Sequence, residues 1–554
     1  MRLKSKCLPL FVAGAMMSAC SINPIHSNTQ PTSSQNSGQS TQAITTKQLQ
    51  DNVKTIVVIY TENRSFDNLY GLYPGADGIP GVNPSSSQSK AAPQLDRDGK
   101  VLATLPKTWG GVVNGKPDVI PEASTGGKPN QPFQIDAPTA QGGFDLPLDV
   151  NTIDLVHRFF NNQMQINGGN NDKFAAYSNA GGLSMGYYDG SKMKLWKYAQ
   201  DYVLADNFFQ GAFGGSYLNH QYLICACVPT YPNDGIAVTG GSKVSAVIPN
   251  TNQLATKPTS PVSALDGAPQ YVSDGSLTPP NYLGDGKYYT INTMQPPYQL
   301  SANKAPPTDT TNTLADLNSV TTEYPVTNTN IGDLLDNKGI SWAWYSGGWN
   351  EALKDPNQIY GGRLQFQTHH QPFNYSIKAD PTTVSGQAYR KKHFKDFDEA
   401  FLQDAKAGNL PAVTFYKSSG ILNQHPGYAQ VADGDAHVAE VVAQLQQSPQ
   451  WKNMVIVITS DENGGFWDHK RVPKGDVWGP GTRIPALVIS PLAKRGVVDH
   501  TQYDTASILR LITRVFDLPK LDGLKQRDNA LVKNGGVAMG DLTNTLDVKT
   551  FARK

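Results

Sequence analysis

Val455 to His469 reads V-I-V-I-T-S-D-E-N-G-G-F-W-D-H, and the reading of the whole fold turns on it. Four β-branched apolar residues, Val455, Ile456, Val457 and Ile458, predict a strand buried on both faces, as in a parallel sheet. Thr459 and Ser460 end it, and two adjacent carboxylates, Asp461 and Glu462, follow. Open α/β sheets bind ligands beyond the carboxyl ends of their strands. A carboxylate pair in that position repels unless a cation or a proton lies between its members. Asn463, Gly464 and Gly465 come next, and the glycines allow a tight turn and a close backbone approach. A solvated loop after a core strand is the plain alternative.

Working outward, Thr55 to Tyr60 (T-I-V-V-I-Y) has the same form and leads into Thr61, Glu62, Asn63, Arg64, Ser65, Phe66 and Asp67. Two buried strands, far apart in sequence, thus each end in oxygen ligands. In a parallel sheet both ends face one crevice. That predicts a hard divalent-cation site drawn from Glu62, Asn63 and Asp461.

The rest of the chain alternates strand and helix around long polar insertions. Asp154 to Gln165 has helical spacing, carries His157 and ends at Asn167-Gly168-Gly169. Gly211 to His220 places Ser216 directly after Gly214 and Gly215 at a helix start, where negative charge is favoured. Ser216 is there either a turn residue or a nucleophile activated by a metal, since G-x-S-x-G is absent. Ser341–Tyr345, Leu410–Tyr416 and Ile484–Ser490 predict further strands; Ile331–Lys338, Val431–Gln447 and Thr505–Phe516 predict helices. His369 and His370 fall on a loop before Gln371-Pro372, and His425 lies in a turn. The order argues an α/β fold, a three-layer α/β/α sandwich around a mostly parallel sheet. Residues 69–144 read as surface loops. Residues 229–330 are too long for a plain connection and predict a smaller cap-like insertion in the domain that runs from 47 to 554.

Bulk properties narrow the class. The chain has 554 residues, a net charge of +1, 51 glycines and 38 prolines. No overall field favours nucleic acid or an anionic membrane. Basic residues Arg2, Lys4 and Lys6, a short apolar run and Ser18-Ala19 before Cys20 read as a signal peptide over 1–20. The end of that segment resembles a lipoprotein signal with Cys20 as the lipidated residue, although Met17 stands where leucine is more usual. Residues 21–46, rich in Ser, Gln and Thr, read as a flexible tether. The expectation is an exported protein, whether periplasmic, anchored to the outer membrane or secreted. Cys225 and Cys227, one residue apart, are expected as free thiols buried in an apolar strand over Tyr222–Val228.

E-N-R-S-F-D, H-x-F followed by N-G-G, G-G-S-Y-L-N-H, H-H-Q-P-F, Q-H-P-G and D-E-N-G-G-F-W-D-H occur in that order between about residues 53 and 516. Together they resemble the bacterial phosphoesterase family of exported acid phosphatases and phospholipases C, in the alkaline-phosphatase-like superfamily. The serine in G-G-S-Y-L-N-H is closer to the acid phosphatase branch. The resemblance implies Glu62, Asn63 and Asp461 as metal ligands, with Ser216 as a nucleophile that also touches the metal. Glu462 is implied either as a further ligand or as a neighbour of the phosphoryl group. His157, His370 and His425 are implied around the phosphoryl oxygens and leaving group, and His369 can stand in for His370. The implied cofactor is a divalent metal ion of unspecified identity, and the implied substrate a phosphate ester. A phosphomonoester is the first expectation and a phospholipid headgroup the alternative. Membrane contact is expected only through Cys20. A reading of another class, a non-catalytic surface binding protein, is disfavoured by the intact serine and carboxylates.

Overall fold

Among the described residues, eight strands build the central sheet. In chain order they are β1 (Thr55–Thr61), β2 (Val203–Ala205), β3 (Trp342–Ser346), β4 (Phe394–Asp396), β5 (Val413–Lys417), β6 (Met454–Ser460), β7 (Ala486–Ile489) and β8 (Val497–Asp499). Their spatial order is β8-β2-β7-β6-β1-β5-β3-β4. β6, β1, β5, β3 and β4 are parallel neighbours; β7 alone runs against its neighbours β6 and β2, and β8 is parallel to β2. The computed structural model describes residues 43–109, 120, 124–231, 244–291, 293–299, 314–317, 319 and 322–551. The expected signal peptide, Cys20 and the tether up to Gln42 lie outside the described residues, as do 232–243 and 300–313 of the expected insertion.

β1 and β6 form the middle of the sheet because every residue of both is buried. Full burial of each Val or Ile contributes roughly 1.5–3 kcal/mol, so these two strands anchor the core. Helices α1 (Phe159–Ile166), α2 (Ser216–Cys225), α3 (Val431–Gln446) and α4 (Ala506–Val515) pack around the sheet, α2 against α4 and α3 against the helix Lys194–Asp201. The α/β sandwich and its mostly parallel sheet agree with the sequence reading. In the 229–330 segment, the two-residue strands Thr230–Tyr231 and Tyr288–Tyr289 pair antiparallel.

Two local expectations are corrected. The helix expected over Asp154–Gln165 begins only at Phe159, after Arg158 in extended conformation, so His157 lies on the approach to α1. The preceding backbone is committed elsewhere: Val156 N donates to Asn179 Oδ1, and the His157 ring bonds Leu155 O. The second correction concerns the cysteines. Tyr222 to Cys225 is helical, and Cys225 and Cys227 are disulfide-bonded with Cα atoms 5.1 Å apart, within bridging range. Ala226, in the left-handed region with φ 50°, turns the chain so that the two sulfurs meet.

Candidate active site

The register between β1 and β6 fixes the centre. Thr61 pairs with Ser460, so the next residues on each strand, Glu62 and Asp461, leave the sheet side by side. Asn63 N donates to Asp461 Oδ1 at 3.1 Å. Asn63 itself takes φ 60°, a conformation asparagine tolerates better than most residues. Gly464 crosses directly above it with φ 60°. A Cβ at position 464 would fall 2.3 Å from Asn63 O, so glycine is required. The close approach foreseen for the double glycine is thus to the chain's own backbone.

Ser216 is the first residue of α2, and its side chain adjoins Asp461, where it acts against the rise that burial imposes on that carboxyl. The loop before it is stapled from within the helix. Asn219 Oδ1 accepts from Ala212 N, and Asn219 Nδ2 donates to Gly214 O and Gly215 O. His220, one turn on from Ser216, uses Nδ1 to bond Ser216 O at 2.7 Å. It was not singled out from the sequence, yet the i, i+4 spacing places it on the serine's face of the helix.

Glu62 is held by four donors. Lys417 Nζ lies 2.7 Å and His370 Nε2 2.8 Å from Oε1; Asn423 Nδ2 and the Tyr428 hydroxyl bond Oε2 at 2.8 and 3.0 Å. Lys417, Asn423 and Tyr428 are further site residues that sequence reasoning missed; Lys417 had a signal, as the cation closing an apolar strand. His370 has both ring nitrogens engaged, since Nδ1 faces Gln367 N. The nitrogens of its neighbour His369 have no hydrogen-bond partner among the described residues, although Nε2 stands 3.5 Å from Glu62 Oε1. On the other side, His157 Nδ1 bonds Leu155 O at 2.5 Å, and Nε2 meets Asn63 Nδ2 at 3.2 Å and Glu462 Oε1 at 3.6 Å. The His425 ring centre lies 5.7 Å from that of His157, and its Nδ1 bonds Pro426 O. Asp154 completes a group with these two histidines. All the residues expected at the site therefore converge on the carboxyl edge of the sheet.

Electrostatics mark the centre as short of positive charge. Burial pushes Asp461 up to about 7, with Lys417 acting against the rise and Glu62 adding to it. Burial and then Asp461 raise Glu462 well above the usual carboxylate range. Burial alone would raise Glu62 too, but Lys417 and His370 outweigh it and hold Glu62 well below that range. Burial lowers His157 to about 4 and His370 to about 3, so these imidazoles are neutral. Asn63 Oδ1, Asp461 Oδ2 and Glu462 Oε1 are buried and have no hydrogen-bond partner among the described residues. Buried acceptors without donors are costly, and a hard divalent cation is the group that satisfies such a set. The residues present fit a divalent ion. Asn63, Asp461 and Glu462 offer free oxygens, while Glu62 ligates only by loosening one of its four donors.

The same two segments also make a second ionic cluster. Arg483 bonds Asp67 Oδ1 and Asp468 Oδ1, both at 2.9 Å, and His469 Nδ1 bonds Asp67 Oδ2 at 2.7 Å. This cluster ties the loop after β1 to the loop after β6.

Known proteins resemble the chain along most of its length. Non-specific phospholipase C5 of Arabidopsis thaliana is 32% identical over 28% of this chain and 36% of its own length. Non-specific phospholipase C1 of the same plant is 34% identical over 27% of this chain and 34% of its own. The match thus spans about a third of these plant relatives. Phospholipase C A of Mycobacterium tuberculosis is 22% identical over 90% of this chain and 78% of its own. A solved alkaline phosphatase superfamily protein from Vibrio parahaemolyticus overlaps 62% of this chain and 64% of its own at 10% identity and TM-score 0.29, too loosely to carry an argument. The Phosphoesterase family model matches residues 53–519, the same span over which the six motifs run to one sheet edge, and the chain belongs to the Phosphoesterase family.

Proposed function

We propose that the chain is a metal-dependent phosphoric ester hydrolase acting on phosphomonoesters, an acid phosphatase working through a phosphoserine at Ser216. One observation carries this: the Ser216 hydroxyl stands at the N-terminus of α2 against Asp461, beside buried oxygens that lack donors. Asn63, Asp461, Glu462 and Ser216 would hold the ion, with Glu62 adjoining. A divalent cation held there would lower the pKa of the serine hydroxyl and offset charge on the phosphoryl oxygens.

Ser216 Oγ, its proton released to water, attacks phosphorus in line, and the ester P–O bond breaks as the Oγ–P bond forms. The helix N-terminus stabilises the charge on the phosphoryl oxygens. His369, whose nitrogens have no hydrogen-bond partner among the described residues, donates to the leaving oxygen in the place open to either histidine, while His370 steadies Glu62. His425 donates Nδ1–H to Pro426 O, so its Nε2 lone pair takes the proton of the water that cleaves the phosphoserine. Support for a monoester comes from the serine of G-G-S-Y-L-N-H, which resembles the acid phosphatase branch.

A phospholipase C reading is favoured by the names of the relatives. The two separate in one assay with a constant leaving group. The Mn²⁺-loaded chain is given p-nitrophenyl phosphate, bis-p-nitrophenyl phosphate and p-nitrophenylphosphorylcholine. A monoester preference is expected. A diester preference would move the assignment to phospholipase C, and no turnover with metal bound would end the enzyme reading. Export, with or without lipid at Cys20, belongs to the same proposal; the Cys225–Cys227 disulfide supports it, because such bonds persist in oxidising compartments.

A further inference from the structure

His157 sits where the resemblance implies a residue that touches the phosphoryl group, and its own bonds point elsewhere. A backbone carbonyl can only accept, so the contact with Leu155 O commits Nδ1 as the donor. Nε2, which faces the NH₂ of an amide, is then the acceptor of the ring. Two groups face that nitrogen: Glu462 Oε1 at 3.6 Å, beyond hydrogen-bond distance, and the side-chain amide of Asn63 at 3.2 Å. Only the NH₂ end of an amide can donate to it, so the other end, Oδ1, is turned away from His157. Asn63 Oδ1 is the buried oxygen without a partner that adjoins the Asp461 carboxylate, to which the Asn63 backbone N–H is itself tied. The amide is therefore fixed at both ends of the residue: by Asp461 through the backbone and by His157 through the side chain. The carbonyl of Leu155 sets the tautomer that makes this possible. Gly465 lets the loop approach this closely, since a Cβ there would lie 2.7 Å from Val156 O and 2.8 Å from Leu155 Cβ.

We infer that His157 is a positioning residue: through Asn63 it aims the amide oxygen at the cation. This rests on the reading of the site as a divalent-metal centre. An asparagine left without such a partner can turn its NH₂ toward the cation, which repels it. An aspartate at the same position presents oxygen in either orientation and needs no partner to orient it.

The test is a double-mutant cycle read as Mn²⁺ affinity by calorimetry, on the full chain and with no substrate present. Removing a group that orients a ligand typically weakens metal binding by about 10–100-fold. His157→Ala is expected to weaken Mn²⁺ binding by that factor when residue 63 is asparagine. In the Asn63→Asp background the same substitution is expected to cost no more than about twofold, the scatter of independent sites. His157→Gln keeps a side-chain acceptor for the amide and is expected to lose less affinity than His157→Ala, which keeps the test usable if the alanine variant does not fold. An equal penalty in the two backgrounds, or none in either, would overturn the inference and leave the metal reading standing. A wild-type chain that binds no Mn²⁺ would remove the metal reading and this inference together.

Discussion

Two ionic clusters grow from the same two stretches of chain, and they are built on opposite accounts. Glu62, Asp461 and Glu462 follow their strands directly; Asp67, Asp468 and His469 come a few residues later in each loop. Both clusters are buried. In the later one Arg483 and His469 meet the carboxylates of Asp67 and Asp468, so charge and hydrogen bonding close within the protein. In the earlier one Lys417 answers Glu62, while one oxygen each of Asp461 and Glu462 faces no donor among the described residues. Burial and residue type do not separate a working centre from a brace. What separates them is whether the partners are complete.

The comparison is sharpened first by Ser216→Ala. Turnover of the preferred p-nitrophenyl ester is expected to fall by about 10³-fold or more, as for other serine nucleophiles, with the urea midpoint unchanged. A midpoint shift without loss of rate would place Ser216 in the frame instead. Next comes a matched pair of variants read by urea denaturation without metal. Asp468→Asn breaks a complete buried pair and is expected to cost about 3–5 kcal/mol. Asp461→Asn removes one of two repelling carboxylates and is expected to leave stability equal or higher. Equal losses would erase the distinction between the clusters.

A smaller effect is the pH dependence of the brace. Asp67 and Asp77 outweigh burial and raise His469 to about 9. A folded pKa above the unfolded one stabilises fully below the unfolded value and is lost as pH climbs through the folded value. Stability of the metal-free chain is thus expected to fall by roughly 3 kcal/mol between about pH 6.5 and 9, and His469→Gln is expected to flatten that slope. A slope that survives the substitution would assign it to another group.

Much of this was legible in the sequence, for identifiable reasons. The long strands β1 and β6 announce themselves because burial on both faces leaves an unbroken apolar run, and the oxygens that follow inherit their position from the parallel register. The segments that became β2, β4 and β8 are three residues each, and F-K-D or V-V-D carries no period to read. The start of α1 was misplaced because apolar spacing continues upstream while the backbone bonds there go to Asn179 and to the His157 ring. The cysteine pair was misread because the left-handed turn at Ala226 is not encoded by a glycine. Lys417, Asn423 and Tyr428 were passed over because their role is to complete Glu62, and which acid a distant donor completes is a fact of tertiary structure.

The place of β1 has a consequence for how the chain is made. Its two neighbours in the sheet, β5 and β6, begin at Val413 and Met454, so a strand near the start of the chain waits for partners near its end. During synthesis β1 is an unpaired apolar segment with both hydrogen-bonding edges open, the kind of template on which chains associate wrongly. The centre cannot exist before Asp461 has been made, so an incomplete chain carries the aggregation risk of its core strand and none of its chemistry.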